Sequence, residues 1–257
     1  MKIDSLSALV SGGATGLGAA VARALAVRGA QVTILDQDEQ GEAVAREIGG
    51  CFFATDITDD DQVADAILQA EGHHGVARIL VNAATLSVSQ PLVGQGGVPH
   101  PLETFRRAVD FNLGATFNVL SKFAARLSSV EPVGEERGVI INTGSAAGSD
   151  GQIGQSAYAA AKAGVLGMTL PLARELAHLQ VRVVTISPGP FATPGFLQMP
   201  KDLRATFEAQ VPHPRRVGAV EEFAQLAIHI IENPFLNGEV IRLDGAMRLG
   251  PGELPQK

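Results

Sequence analysis

Residues 6–18 read Leu6-Ser-Ala-Leu-Val10-Ser11-Gly12-Gly13-Ala14-Thr15-Gly16-Leu17-Gly18. A short apolar run is followed at once by a glycine-rich turn. An alanine-rich stretch, Ala19 to Val27, comes next and closes at Gly29, a helix C-cap. This is strand, turn, helix. Glycines allow the turn to fold tightly and let its backbone approach a pyrophosphate, which the positive end of the following helix attracts. The next apolar run, Gln31 to Leu35, ends in Asp36, about twenty residues beyond the glycines. A carboxylate there accepts from both hydroxyls of an adenosine ribose and repels a 2′-phosphate. Gly12, Thr15, Gly16, Leu17, Gly18 and Asp36 are therefore candidate dinucleotide contacts, and NAD(H) is favoured over NADP(H).

Working outward, strand-like runs at 6–10, 31–35, 51–55, 77–82, 138–143, 181–187 and 239–243 alternate with helical stretches near 17–28, 39–48, 60–72, 102–128, 156–178 and 219–232. Such alternation predicts parallel βαβ units. Right-handed crossovers then give an α/β fold, a Rossmann-type doubly wound sheet of seven parallel strands with helices on both faces. At 257 residues and 46% hydrophobic, the chain suits one domain spanning 1–257, with no repeat or linker. The segment 87–101, with three glycines and three prolines, is one long loop, either a rim of the substrate entrance or a plain surface insertion.

No run approaches the ~20 apolar residues of a membrane span, and the first residues, Met-Lys-Ile-Asp-Ser, lack the apolar core of a signal peptide. A single cysteine, Cys51, cannot form an internal disulfide and fits a reducing cytoplasm. It opens an apolar strand, which predicts a buried structural thiol. The net charge of −7 argues against nucleic acid. His73-His74 reads as a solvated helix end, and no histidine or acid spacing suggests a metal.

Tyr158 is the only tyrosine, and it stands four residues before Lys162 and thirteen after Ser145. On a helix, residues at this separation share a face. The Lys162 ammonium there is expected to stabilise the Tyr158 phenolate and pull its pKa down from roughly 10. A phenol so poised is a general acid/base for a carbonyl/alcohol pair.

Together, Ser11-Gly12-x-x-x-Gly16-x-Gly18, Ser145, Tyr158 and Lys162 resemble the classical short-chain dehydrogenase/reductase family over essentially the whole chain. Gly-Val-Ile-Ile-Asn-Thr (138–143), Gly151-Gln-Ile-Gly-Gln155, the run from Gly167 to Arg174 and the run from Glu232 to Ala246 are similar to its type-2 3-hydroxyacyl-CoA dehydrogenase branch. That branch also takes short branched acyl-CoA and hydroxysteroids. The resemblance implies a catalytic set of Asn112, Ser145, Tyr158 and Lys162, with Asn112 bending the central helix and holding a water behind the lysine. It implies that Tyr158 and Lys162 also meet the cofactor ribose, that Asp56 and Ile57 flank the adenine, and that Asn82, Ala83 and Ala84 line the ribose. Thr85 replaces the family glycine, which puts the local backbone in question. Pro188, Gly189, Phe191 and Thr193 match the turn that meets the nicotinamide. Asp56 also suits the start of a helix.

Gln152 and Gln155 fall where the acyl-CoA branch contacts substrate, and helix capping suits them equally. A lid is expected at about 190–214, where Phe191, Phe196, Leu197, Met199, Leu203 and Phe207 form an apolar wall or ordinary core. Lys201 and Arg204 stand at its mouth as partners for CoA phosphates. The implied activity is NAD-dependent interconversion of a secondary alcohol and a ketone, foremost 3-hydroxyacyl-CoA and 3-oxoacyl-CoA, by a homotetramer. Steroid or free-alcohol dehydrogenases, a 3-oxoacyl-carrier-protein reductase and a non-catalytic scaffold are the alternatives.

Overall fold

Seven apolar runs pair edge to edge in the computed structural model, which describes residues 1–252. The strands are β1 (Ser7–Ser11), β2 (Gln31–Asp36), β3 (Cys51–Ala54), β4 (Ile79–Asn82), β5 (Gly138–Thr143), β6 (Val181–Pro188) and β7 (Val240–Leu243). They lie in the order β3-β2-β1-β4-β5-β6-β7, and every pair is parallel. The order reverses beside β1, between β2 and β4, so the crevice at the strand C-termini opens there, as the fold class requires. Expected strand limits shift by one or two residues at 51–55, 77–82 and 239–243.

The helices are α1 (Gly16–Val27), α2 (Gln40–Ile48), α3 (Asp60–His74), α4 (Leu102–Val109), α5 (Ala115–Leu127), α6 (Ala147–Asp150), α7 (Ser156–Glu175), α8 (Pro194–Leu197), α9 (Lys201–Ala209) and α10 (Val220–Glu232). Side chains of a strand point alternately to opposite faces, and here each set finds its own core. Ala8, Val10, Ile79, Val81, Val139 and Ile141 pack beneath α1, α2 and α10. Leu9, Leu80, Ile140 and Val183 pack against α3, α5 and α7. A parallel sheet covered on both faces is buried through its centre, which is why β1, β4, β5 and β6 carry no exposed residue.

The segment expected as one helix over 102–128 is two helices joined by a π turn, Asp110–Gly114. There the Ala115 N–H donates five residues back, to Asp110 O, which leaves carbonyls of the preceding turn without their regular partners. Side chains take them over. Asn112 Nδ2 donates to Ala108 O at 2.9 Å, and Thr116 Oγ1 donates to Asn112 O at 2.9 Å. Similarly, the helix expected over 156–178 changes at Leu176 into a tight turn ending at Gln180, φ 56°. The lid segment contains α8 and α9.

Two small expectations are corrected. Cys51 is only half-buried, because β3 is an edge strand. His74 is not a freely solvated helix end, since its Nε2 lies 3.2 Å from Cys51 Sγ and burial pulls its pKa down. No helix among the described residues is long and apolar enough to cross a membrane.

Candidate active site

The glycine turn is built by close approach. Gly12 has φ +71°, and a Cβ on it would strike the backbone of Ala84 at the end of β4. A Cβ on Gly18 would overlap the carbonyl oxygen of Gly12, so any side chain there would force α1 away from β1. Ala83 N donates to Ser11 O at 2.8 Å, tying the exit of β4 to the same turn. The turn thus presents open backbone at the start of α1 where a pyrophosphate fits. Asp36 closes its far side. Its carboxylate accepts from Ala14 N at 3.0 Å and Asp38 N at 3.1 Å, which fixes it at the mouth of the turn.

A cleft of about 660 Å³ runs from this turn across the sheet's C-terminal edge. Gly12, Thr15, Gly16, Leu17, Asp36, Ala83 and Ala84 line one end, and Ser145, Tyr158, Pro188, Gly189, Phe191 and Thr193 the other. A second cleft, of about 730 Å³, lies between the first four residues, 133–136 and Glu232. It is larger, but it has no glycine turn and none of the predicted site residues, so the 660 Å³ cleft is the candidate site.

At the deep end, Tyr158 and Lys162 share a face of α7, with Lys162 Nζ 5.9 Å from the Tyr158 ring centroid. Lys162 is fully buried, and its Nζ donates to Thr143 O at 2.9 Å. Ser145 sits on the loop between β5 and α6, its Oγ accepting from Ala147 N at 3.1 Å. The hydroxyls of Ser145 and Thr85 act on the phenol in the sense of favouring its ionised form.

The expected depression of the phenol pKa is not found. Burial pushes Tyr158 up and outweighs both hydroxyls. Burial acts on its neighbour too, lowering the Lys162 ammonium to about 7. A lysine that sheds its proton near neutrality is no fixed cation for a phenolate.

Asn112 acts at one remove. Its Oδ1 accepts from Leu86 N at 3.0 Å and its Nδ2 donates to Leu86 O at 2.9 Å, so it clamps the chain leaving β4. The bend expected of it is the π turn.

Several predicted contacts are placed elsewhere. Asp56 does not line the cleft. Its Oδ1 takes the N–H and hydroxyl of Thr58, at 2.9 and 2.6 Å, in a turn before α3. Ile57 is buried in the core. Asn82 lies behind the cleft, accepting from Ser11 Oγ at 2.9 Å and donating to Asn142 Oδ1 at 3.0 Å, and so stitches β1, β4 and β5 together. Thr193 Oγ1 accepts from Phe196 N at 3.3 Å as the N-cap of α8. Thr85 is free of the strain that a left-handed backbone would impose, since its φ is not positive.

Gln152 lines the cleft, but its Nε2 donates to Gly250 O at 3.2 Å. Gln155 also lines the cleft, and its Oε1 is buried without a partner.

The C-terminal segment supplies a wall that the sequence did not signal. Arg242 grips Asp150 through two 2.8 Å bonds, Leu249 N donates to Asp150 Oδ2 at 2.9 Å, and Ile153 N donates to Pro251 O at 2.9 Å. Leu249 thereby lines the cleft, as do Thr143 and Phe111. These residues lie far apart in the chain and carry no spacing that could announce them. Arg216, by contrast, is committed to Glu222 at 2.8 Å on both nitrogens, and is therefore an ordinary surface ion pair.

The family model described as short chain dehydrogenase matches residues 7–203. The human protein named 3-hydroxyacyl-CoA dehydrogenase type-2 is 46% identical over 97% of this chain and 98% of its own length. The Drosophila melanogaster protein of the same name is 42% identical, over 97% of this chain and all of its own. Among solved structures, 3-hydroxyacyl-CoA dehydrogenase type-2 from Mycobacterium avium matches with a TM-score of 0.93 and 42% identity, over 96% of this chain and 98% of that one.

Proposed function

Because this chain belongs to the short chain dehydrogenase family, an oxidoreductase family using a nicotinamide dinucleotide, we propose that it interconverts 3-hydroxyacyl-CoA and 3-oxoacyl-CoA with NAD(H). The observation that carries the reading is one cleft holding the glycine turn and Asp36 at one end and Ser145 with Tyr158 at the other. The cradle fits a dinucleotide. Its two glycine approaches leave no room for side chains, and Thr143 Oγ1 and Gln155 Oε1 stand buried and unpartnered on the same walls.

When bound, the dinucleotide supplies or accepts the hydride at the substrate carbon. The pyrophosphate would lie on Gly12, Thr15, Gly16 and Leu17 over the start of α1, with Asp36 at the adenosine ribose. In ketone reduction, negative charge grows on the substrate oxygen. Tyr158 donates a proton to it, and Ser145 Oγ donates a second hydrogen bond. In alcohol oxidation, Tyr158 takes the hydroxyl proton. Lys162, held on Thr143 O behind the phenol, adds positive charge when protonated and reaches for the cofactor ribose. Asn112 keeps Leu86 and the end of β4 in place. Phe196, Met199, Phe207 and Leu249 give the outer cleft an apolar wall suited to an acyl chain.

We place the enzyme in the cytoplasm as a homotetramer. Exposed Leu102, Phe105, Phe117 and Leu170 on α4, α5 and α7 support packing between copies, and the single cysteine suits a reducing compartment.

The test is acetoacetyl-CoA reduction with NADH and NADPH in parallel. Fast turnover with a preference for NADH of at least about tenfold is expected, since a carboxylate at the ribose opposes a 2′-phosphate by at least about 1.4 kcal/mol. Asp36→Ala should erase most of that preference, mainly by raising the KM for NADH. NADH binding without turnover would redirect the substrate assignment to free alcohols and steroids. An unchanged preference in the variant would sink the role of Asp36.

A second expectation concerns the C-terminal wall. Asp150 is held in its ionised form mainly by Arg242, with its pKa below the ordinary value. A carboxyl depressed in the folded state contributes stability that is full above the unfolded pKa and fades as pH falls through the folded one. The strap is therefore intact at neutral pH. Asp150→Asn should cost about 1–2 kcal/mol of stability and raise the KM for acyl substrate several-fold with a smaller change in kcat, measured by thermal unfolding and steady-state rates.

A further inference from the structure

The apolar part of the cleft is assembled from two segments, and both are held in place. The lid brings Phe196, Met199 and Phe207. Phe196 and Phe207 pack edge to face with ring centres 6.0 Å apart, so the two aromatics move as one unit. The second contribution is Leu249, the lining residue furthest along the chain.

Leu249 is tethered on either side. After β7 the chain turns through Gly245 and Ala246, with φ of 61° and 64°. A left-handed alanine costs free energy and persists only where its surroundings over-determine it. Here Asp244 Oδ1 accepts from Ala246 N at 3.1 Å, Arg242 Nη2 donates to Met247 O at 3.1 Å, and Met247 is buried. Beyond this anchor, Leu249 N donates to Asp150 Oδ2 at 2.9 Å, Gln152 Nε2 to Gly250 O at 3.2 Å and Ile153 N to Pro251 O at 2.9 Å. Asp150 is itself fixed by the two 2.8 Å bonds from Arg242. A wall held in this way cannot yield to a bulkier ligand without breaking several hydrogen bonds.

We propose that Leu249 sets the length of acyl chain the enzyme accepts: its side chain closes the apolar part of the cleft, so short 3-oxoacyl groups fit and longer ones collide with it. The inference rests on the acyl-CoA reading of the cleft and adds the residue that limits it. One methylene without room in an apolar pocket shifts selectivity by about 10- to 200-fold.

The test is kcat/KM with NADH for acetoacetyl-CoA, 3-oxohexanoyl-CoA and 3-oxodecanoyl-CoA. The wild type should prefer the short substrates. Leu249→Ala should raise the ratio of 3-oxodecanoyl-CoA to acetoacetyl-CoA about tenfold or more, and Leu249→Phe should lower the ratio of 3-oxohexanoyl-CoA to acetoacetyl-CoA about tenfold. Asp150→Asn loosens the wall without changing the side chain and should move the ratio in the same direction as the alanine variant, by less. Leu249 is half-buried, and thermal unfolding checks each variant. Should the alanine variant fold poorly, Leu249→Val carries the same expectation at smaller amplitude.

A merely structural role would depress all three substrates together and leave the ratios where they were, and that result would overturn the proposal. So would a wild type that reduces 3-oxodecanoyl-CoA as readily as acetoacetyl-CoA. The two readings fail distinguishably. Turnover with unmoved ratios removes the role of Leu249 alone, whereas a wild type that reduces none of the three thioesters removes the acyl-CoA reading and this inference with it.

Discussion

Tyr158→Phe should bind NADH as the unaltered protein does and lose turnover by about 1,000-fold, within the range that general acid/base groups supply. The substitution removes one oxygen and keeps the ring in its place on α7. Ser145 Oγ retains the N–H of Ala147, and Thr85 faces the open cleft, so neither hydroxyl is stranded in apolar surroundings. Stability should therefore change by no more than about 1 kcal/mol. The loss should appear in kcat and kcat/KM together, the signature of an interaction made in the transition state. NADH fluorescence on binding and single-turnover rates measure the two halves independently. Retained turnover would assign the proton to another group.

Lys162→Met is expected to combine loss of activity with a pH-dependent gain in stability. The folded pKa of about 7 lies below the ordinary lysine value of 10.5, so between these values the unfolded chain binds more protons than the folded one, and wild-type stability rises with pH. Below pH 7 the wild type bears the whole cost of burying the charge, roughly 4–5 kcal/mol on the difference between the two pKa values. Methionine avoids that cost but strands the carbonyl of Thr143, which takes back roughly 1–3 kcal/mol. A net gain of roughly 2 kcal/mol below pH 7, shrinking as pH rises towards 10, is the expected result of denaturant unfolding at several pH values. Activity should fall about 100-fold, because the phenol loses the lysine that lies beside it on α7 and the charge it carries when protonated. A stability difference independent of pH from 7 to 10 would mean that Lys162 keeps its charge in the folded protein as in the unfolded one.

These two variants also mark where the sequence could and could not be read. The glycine turn, Asp36 and the Tyr158–Lys162 pair are local: their spacing along a turn or a helix sets their geometry, and the structure brings Ser145, Tyr158 and the turn to one cleft. Strand order follows from parallel crossovers, which allow few topologies. What escaped the sequence was set by contacts between distant segments. Gln152 holds Gly250, and Leu249 enters through an ion pair 92 residues apart. The direction of the Tyr158 pKa escaped for the same reason. Spacing put a lysine beside the phenol, but it could not tell how deeply both would be buried.

The π turn at Asp110–Gly114 carries a consequence for chain length. Each helical residue advances the chain by about 100°, so the additional residue in this turn sets the rotational phase of everything in α5. Phe123 and Leu127 meet the sheet, and Asn112 meets Leu86, only because that phase is kept. Losing one residue here would turn the helix into a regular one and swing its buried face towards solvent, whereas the loop 87–101 can change length at its exposed tip at little cost. Along this stretch, the number of residues is as much a part of the site as their identity.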